Sequence, residues 1–415
     1  MYISPTGKSN LFVIIRKIII IKYKYMYRRA APIQALRLCV LYAIEVVMSK
    51  RFIASVNYMR GLCMLGVIAI HVGSAALSNP TPNLVLIGIL EILSRFSVPS
   101  FFFLSAFGMF YSQPLHKPFS YGVYLKRRLR TVLVPYVFWS CFYLVYSAVL
   151  SHNWTVLQPA AILKAIWYGN AMYHIYFLVI LLWFYFFMPL WRKLLTHMLK
   201  APLPSFILLF AGNVIFNFYS SYIWTYTGPN EWLRDAFTYR LNWVVLHYLF
   251  IFMFGAFVAE KFDSVITWIG SHGTWVNLFQ LIAAAVMIAS YAGVMKYLGY
   301  DALAAVYTVH QLSPAGMVYT LSTIIFLLYH WKCRRVSVFT DKAFTALGNL
   351  SYPIYLVHPV FLGMCTGLAA YAGVPMRAVI IICTYIFVTA ASSVYAAAVY
   401  RLPLPKWLSV CLQGK

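Results

Sequence analysis

Apolar residues run through this chain in long blocks separated by short polar interruptions. Reading blocks of about 20 residues as membrane-crossing helices, the pattern predicts about ten spans: 59–77, 84–111, 131–150, 173–190, 205–224, 242–259, 276–293, 315–329, 344–364 and 376–400. The expected fold class is therefore all-α, a polytopic membrane helical bundle. Polar positions support an orientation as well. Lys126, Arg127, Arg128 and Arg130 follow the second span, Arg192, Lys193 and Lys200 the fourth, and Lys332, Arg334 and Arg335 the eighth. By the positive-inside rule these connections face the cytoplasm. The alternate connections carry few basic residues, and an even number of spans puts both termini inside, in keeping with Arg401 and Lys406.

Composition sharpens this picture. The 415 residues are 63% hydrophobic and only 10% charged, where soluble domains run about 25% charged. Lys and Arg number 33 against 8 Asp and Glu, a net charge of +25. In a soluble chain that balance would point to nucleic acid; with the positives confined to loops, the expected partner is membrane lipid and no nucleic acid. A multi-pass protein of the inner or plasma membrane follows. The seven cysteines form no CxxC pair, so neither a disulfide framework nor a metal site is expected. No Walker A or dinucleotide-binding glycine pattern occurs.

Residues 1–47 stand apart. LFVIIRKIIIIKYKYMYRR mixes apolar and basic residues too closely for a clean span and has no small-residue cleavage site. Met48 opens MSKRF just ahead of the first good span. The expectation is that 1–47 is a non-native upstream extension or a basic segment lying on the inner leaflet, with 48–415 the functional membrane domain.

Candidate chemistry begins in the first span, MRGLCMLGVIAIHVGS (59–74). Eleven residues turn an α-helix through about 1100°, about 20° beyond three full turns, so Arg60 and His71 are expected on one face, about 16 Å apart along the axis, looking into one cavity. Arg60 alone could be a residue snorkelling to the headgroups, but a histidine deep in the bilayer favours a role in a substrate or proton pathway. In the second span, Glu91 and Arg95 stand at i,i+4, a spacing for an ion pair, and Pro99 is expected to kink the helix. The basic run 126–130 could anchor the third span or hold an anionic ligand through arginine's bidentate fork.

In order, the pattern Arg60-x10-His71, RFSVPSFFFLSAFG (95–108), RRLRTVLVPY (127–136), YHIYFL (173–178) and LGNLSYPIYLVHP (347–359) resembles the acyltransferase 3 family of integral-membrane enzymes that decorate surface glycans. Two positions depart from the family: Ser105-Ala106 stands for its usual Ser-Gly, and His174-Ile175-Tyr176 for a frequent His-x-Trp. The resemblance implies transfer of an acyl group, often acetyl, from cytoplasmic acyl-CoA to a hydroxyl of a cell-surface or lipid-linked glycan, with acyl-CoA as donor substrate and no bound cofactor. It gives His71 the catalytic position, Arg60 that of its partner, and Arg128-x-Arg130 the cytoplasmic arginine motif. A histidine suits general-base work on an acceptor hydroxyl, because the thioester is already activated. Arg95 and Ser105 are candidates for contacting the reacting groups. His174, His358 and Tyr352 are candidates for the cavity wall on the acceptor side. The competing reading is a transporter of polysaccharide or lipid-linked glycan, with His71, Glu91 and Arg95 as a proton pathway. A membrane assembly partner without catalysis is a third possibility.

Overall fold

The computed structural model describes residues 56–78, 83–333 and 337–414, and among them every regular element is helical. The expectations for 1–47, Arg334 and Arg335 lie outside the described residues.

Eleven helices account for the ten predicted runs. They are α1 (Val56–Leu77), α2 (Leu84–Ser112), α3 (Tyr121–Ser151), α4 (Tyr176–Phe186), α5 (Met188–Met198), α6 (Pro202–Ile223), α7 (Val245–Glu260), α8 (Gly273–Leu298), α9 (Pro314–Leu328), α10 (Val338–Tyr371) and α11 (Ala378–Arg401). Among the described residues, seven of these (α1, α2, α3, α6, α8, α10 and α11) are long and apolar enough to cross a bilayer, and the pair α4–α5, bent by 68°, makes an eighth if it counts as one span. The bend falls where Pro189 lacks the N–H that would continue the helical ladder. Helix α7 is slightly shorter than the sequence pattern suggested, and α9 has the predicted length but is short for a span. The first opens as a tight 3₁₀ turn over Val245–Tyr248, and the second keeps α-helical geometry for only 15 residues before a π turn at Tyr329–Cys333.

The second span is interrupted one turn before its proline. Regular helical hydrogen bonding stops at Ser94 and resumes at Ser97, with right-handed dihedrals kept at Arg95 and Phe96. Pro99 has no N–H to offer the Arg95 carbonyl four residues earlier, and its ring crowds that carbonyl. The break itself falls at Arg95–Phe96, and the Ser97 hydroxyl donates to the Ser94 carbonyl at 2.7 Å.

The most apolar window of α1 is 56% buried and that of α2 50%, against 17% for each of α6, α8 and α11. The first two spans are thus interior helices, and the last three present most of their surface to the surroundings. Lipid is as apolar as a leucine side chain, so close packing and internal hydrogen bonds must hold such a bundle together. The α2–α7 contact illustrates the first: a Cβ on Gly255 would come within 2.3 Å of the Phe103 carbonyl oxygen. The second is seen where Asn217 donates to the His247 carbonyl at 3.0 Å while its side-chain oxygen meets His247 Nδ1 at 2.8 Å.

Candidate active site

A cavity of about 860 Å³ opens inside the bundle. Helix α1 contributes His71 and Ser74, the break in α2 contributes Arg95, and α10 contributes Tyr355 and Leu362. Two connecting segments complete the wall, with Tyr173 and His174 ahead of α4 and Tyr307 and Gln311 ahead of α9. The first of these segments depends on Gly169, whose φ of +68° is left-handed and whose added Cβ would lie 2.6 Å from Tyr176 Cα. Only a residue without a side chain turns the chain that tightly.

The charges of the cavity are internally matched. Arg95 donates from Nε and Nη2 to the two carboxylate oxygens of Glu91, both at 2.7 Å, a bidentate pair. Glu91 is 1% and Arg95 8% exposed, so neither could stay charged there alone. The Ser74 hydroxyl also donates to Glu91 at 3.0 Å, and Arg95 Nη1 to Gln311 Oε1 at 3.3 Å. Gln311 is in turn held by its donation to the Tyr248 hydroxyl. One cation with spare N–H groups therefore faces the cavity with its charge already balanced.

Three histidines gather on the other wall. The His71 and His358 ring centroids lie 5.3 Å apart with planes 25° from parallel, and His358 and His174 are 5.1 Å apart, edge to face. Tyr173 packs 4.5 Å from His71. The dipeptide His358-Pro359 explains part of this arrangement. Pro359 has no N–H, which leaves the Tyr355 carbonyl, four residues earlier, without its helical donor. His358 Nδ1 fills that vacancy at 2.8 Å. The same tyrosine's hydroxyl donates to the His174 carbonyl at 2.5 Å, so Tyr355 ties both histidines in place. The Nε2 of His358 and both ring nitrogens of His174 are buried without a partner. Among the described residues, no group of His, Cys, Asp or Glu is arranged to hold a metal ion.

The residues singled out from sequence fall into two groups. His71, Arg95 and His174 line the cavity, and His358 stands directly behind His71. Arg60 does not line it. Although it shares a helix face with His71, the three intervening turns carry it past the end of the cavity. Its Nη2 is 3.8 Å from the position of a Cβ on Gly108, and Tyr185 and Arg128 are its charged or ionisable neighbours. The expected single cavity holding both is thus corrected to two regions along one helix. Ser105 and Tyr352 belong to the second region, Ser105 hydrogen-bonded to Tyr185 and Tyr352 beside it. Arg128 lies with its guanidinium 5.2 Å from the Tyr185 ring centre and its Nε buried without a partner. Arg130 is exposed, so the two arginines of the Arg-x-Arg motif do not point into the same space. Glu91 was legible as Arg95's partner. Gln311, Tyr173, Tyr185 and Tyr355 were not, because tyrosines are abundant in this chain and Gln311 sits in a connection without a periodic signal.

A buried ion pair and unpartnered imidazoles around an internal cavity define a polytopic membrane protein with a chemically equipped interior. A family model for an acyltransferase domain, that of the acyltransferase 3 family, matches residues 53–397, and the chain belongs to this family. It is a membrane acyltransferase, transferring groups other than aminoacyl groups. Family membership does not favour the transporter reading. No curated protein and no solved structure matches the chain.

Proposed function

We propose that this protein moves an acyl group, acetyl in the simplest case, from cytoplasmic acyl-CoA to a hydroxyl of a cell-surface or lipid-linked glycan, with His71 as general base. The observation that carries the proposal is the position of His71 on the wall of the cavity, facing the same space as Arg95 and its Glu91 counterion. In this reading all ten helical runs act as spans, α7 and α9 as short ones, in the inner or plasma membrane with both termini cytoplasmic. The Arg60–Arg128 region then faces the cytoplasm, where arginines suit the phosphates of CoA. The cavity with His71 receives the acceptor from the opposite side.

The chemistry closes without a metal. The acceptor hydroxyl oxygen attacks the thioester carbonyl while His71 takes its proton. Collapse of the tetrahedral intermediate breaks the C–S bond, and the leaving thiolate recovers the proton from His71. Spare N–H groups of Arg95, fixed by Glu91, are placed to steady negative charge that develops in the cavity.

The experiment is a transfer assay in inside-out vesicles with labelled acetyl-CoA and the cells' own glycans. The expected result is label in glycan with the wild-type protein and its loss, by about 100-fold or more, with His71→Ala. Transfer at the wild-type rate by His71→Ala would remove His71 from the reaction.

A further inference from the structure

His358 is buried completely and does not line the cavity, yet its ring is set with unusual care. Its Nδ1 is committed as a donor to the Tyr355 carbonyl that Pro359 leaves free, with the Ile354 carbonyl also in reach. On a neutral ring the other nitrogen, Nε2, then carries a lone pair. That lone pair has no partner, and a buried acceptor without a donor is destabilising. We propose that His358 is the orienting partner of His71: its Nε2 receives a ring N–H of His71, and the opposite nitrogen of His71 thereby presents its lone pair to the acceptor hydroxyl. This rests on the acyl-transfer reading above.

Geometry supports this pairing over the alternatives. The two rings, 5.3 Å apart between centroids and 25° from parallel, are at a separation that one side-by-side N–H···N contact spans once His71 turns about its terminal torsion. The other rings packed against His358 are those of Tyr355 and His174. The Tyr355 hydroxyl is committed to the His174 carbonyl at 2.5 Å. His174 meets the ring of His358 edge to face, with planes 76° apart, and its backbone is pinned by Tyr355, so it is the less suited donor. Arg95 is directed to Glu91 and Gln311, and its spare N–H groups face the cavity, which His358 does not line. The arrangement follows the general logic in which a base is oriented by a third group. Here that group is a second imidazole, whose tautomer is set by a helix proline. When His71 takes the acceptor proton it becomes a double donor, one N–H toward the leaving thiolate and one toward His358, and the latter is recovered unchanged when the thiolate takes its proton.

Two substitutions at one position separate this role from a structural one. His358→Asn retains a donor for the Tyr355 carbonyl but has nothing at the Nε2 position. His358→Gln gives up that donor but can place an amide oxygen near Nε2. In full-length protein in vesicles, with labelled acetyl-CoA as probe, His358→Asn is expected to lower kcat by about 100-fold with KM for acetyl-CoA unchanged, and His358→Gln to retain activity within about tenfold. A structural role gives the opposite ranking, and that result overturns the proposal. Should His174→Phe reproduce the loss and His358→Asn add nothing to it, His174 is the partner and the proposal likewise fails. A measurement without substitutions guards against misfolding: ¹⁵N spectra of labelled histidines in the wild-type protein are expected to show His358 as the Nδ1–H tautomer, and the Nε2–H tautomer would refute it. If wild-type protein moves label, His71→Ala does not, and His358→Asn is fully active, this inference alone falls. If wild-type protein moves no label, the acyl-transfer reading falls with it.

Discussion

Removing the carboxylate of Glu91 while leaving Arg95 in place tests the electrostatic design of the cavity most directly. In Glu91→Leu the guanidinium of Arg95 loses two bonds of 2.7 Å and keeps a 3.3 Å hydrogen bond to Gln311 and a place over the Tyr307 ring. Breaking a buried pair in this way typically destabilises by about 3–5 kcal/mol, because the surviving charge is left uncompensated. Replacing both partners by apolar residues is often neutral. In Glu91→Leu/Arg95→Leu only secondary partners are orphaned, and these are mild: Ser74 keeps a free hydroxyl, and Gln311 still donates to Tyr248. The double variant is therefore expected within about 1 kcal/mol of wild type, while the single variant unfolds several degrees earlier. The assay is thermal unfolding in lipid nanodiscs followed by tryptophan fluorescence, with unfolding rates compared where the transition is irreversible. Acyl transfer should fall in both, since the double variant has no Arg95 and the single variant lacks the carboxylate that fixes its guanidinium. A single variant as stable as wild type, or a double variant as unstable as the single, would refute the claim that Glu91 is there to balance Arg95.

Two further outcomes follow from segments outside the long helices. Gly169→Ala forces a side chain into a left-handed turn and onto the Tyr176 backbone; the expected cost is about 2 kcal/mol or more, with transfer activity reduced because Tyr173 and His174 are displaced, and wild-type stability and activity would contradict it. Lys164, on the helix Pro159–Tyr168, meets Asp235 at 2.6 Å, and the hydrogen bond to that carboxylate raises the lysine's pKa. A raised folded-state value means that the pair's stabilisation is complete below the unfolded lysine pKa of about 10.4 and is lost as pH rises through the folded value. Being largely exposed, the pair contributes less than about 1 kcal/mol. Wild type should melt slightly above Lys164→Met at pH 8, the gap should close as pH rises through the lysine's folded-state value, and a gap that does not narrow at high pH would show that the ammonium charge is not its source.

The helical bundle was legible because lipid leaves a chain few alternatives: each apolar block long enough to cross is a helix here, and the predicted starts and ends fall within a few residues for α1, α2, α6 and α9. What hydropathy could not register was length in geometric terms. Val245–Tyr248 is apolar enough for a span but is wound as a 3₁₀ turn, and an unbroken apolar run from 173 to 190 conceals the bend before Pro189. Pro99 did mark an interruption, which falls at the carbonyl four residues before it. Of the candidate site, His71, Arg95 and His174 were found by being costly in lipid or by the family motifs. Helical phase correctly set Arg60 on the face of His71, but phase carries no information about how deep a cavity extends. His358-Pro359 held a readable signal, a freed carbonyl four residues before the proline, whose taker only the fold reveals.

The same helix that separates Arg60 from His71 also sets a fixed gauge inside the protein. Three turns of α1, about 16 Å, lie between the two side chains' points of attachment, and no rotamer change alters that interval. A molecule that engages both at once must be slender, with its anionic head and its reactive end held apart by a comparable reach. Compact activated esters can fill one end or the other but cannot bridge them, so under the proposed acyl transfer the spacing would select the donor by length before any contact selects it by shape.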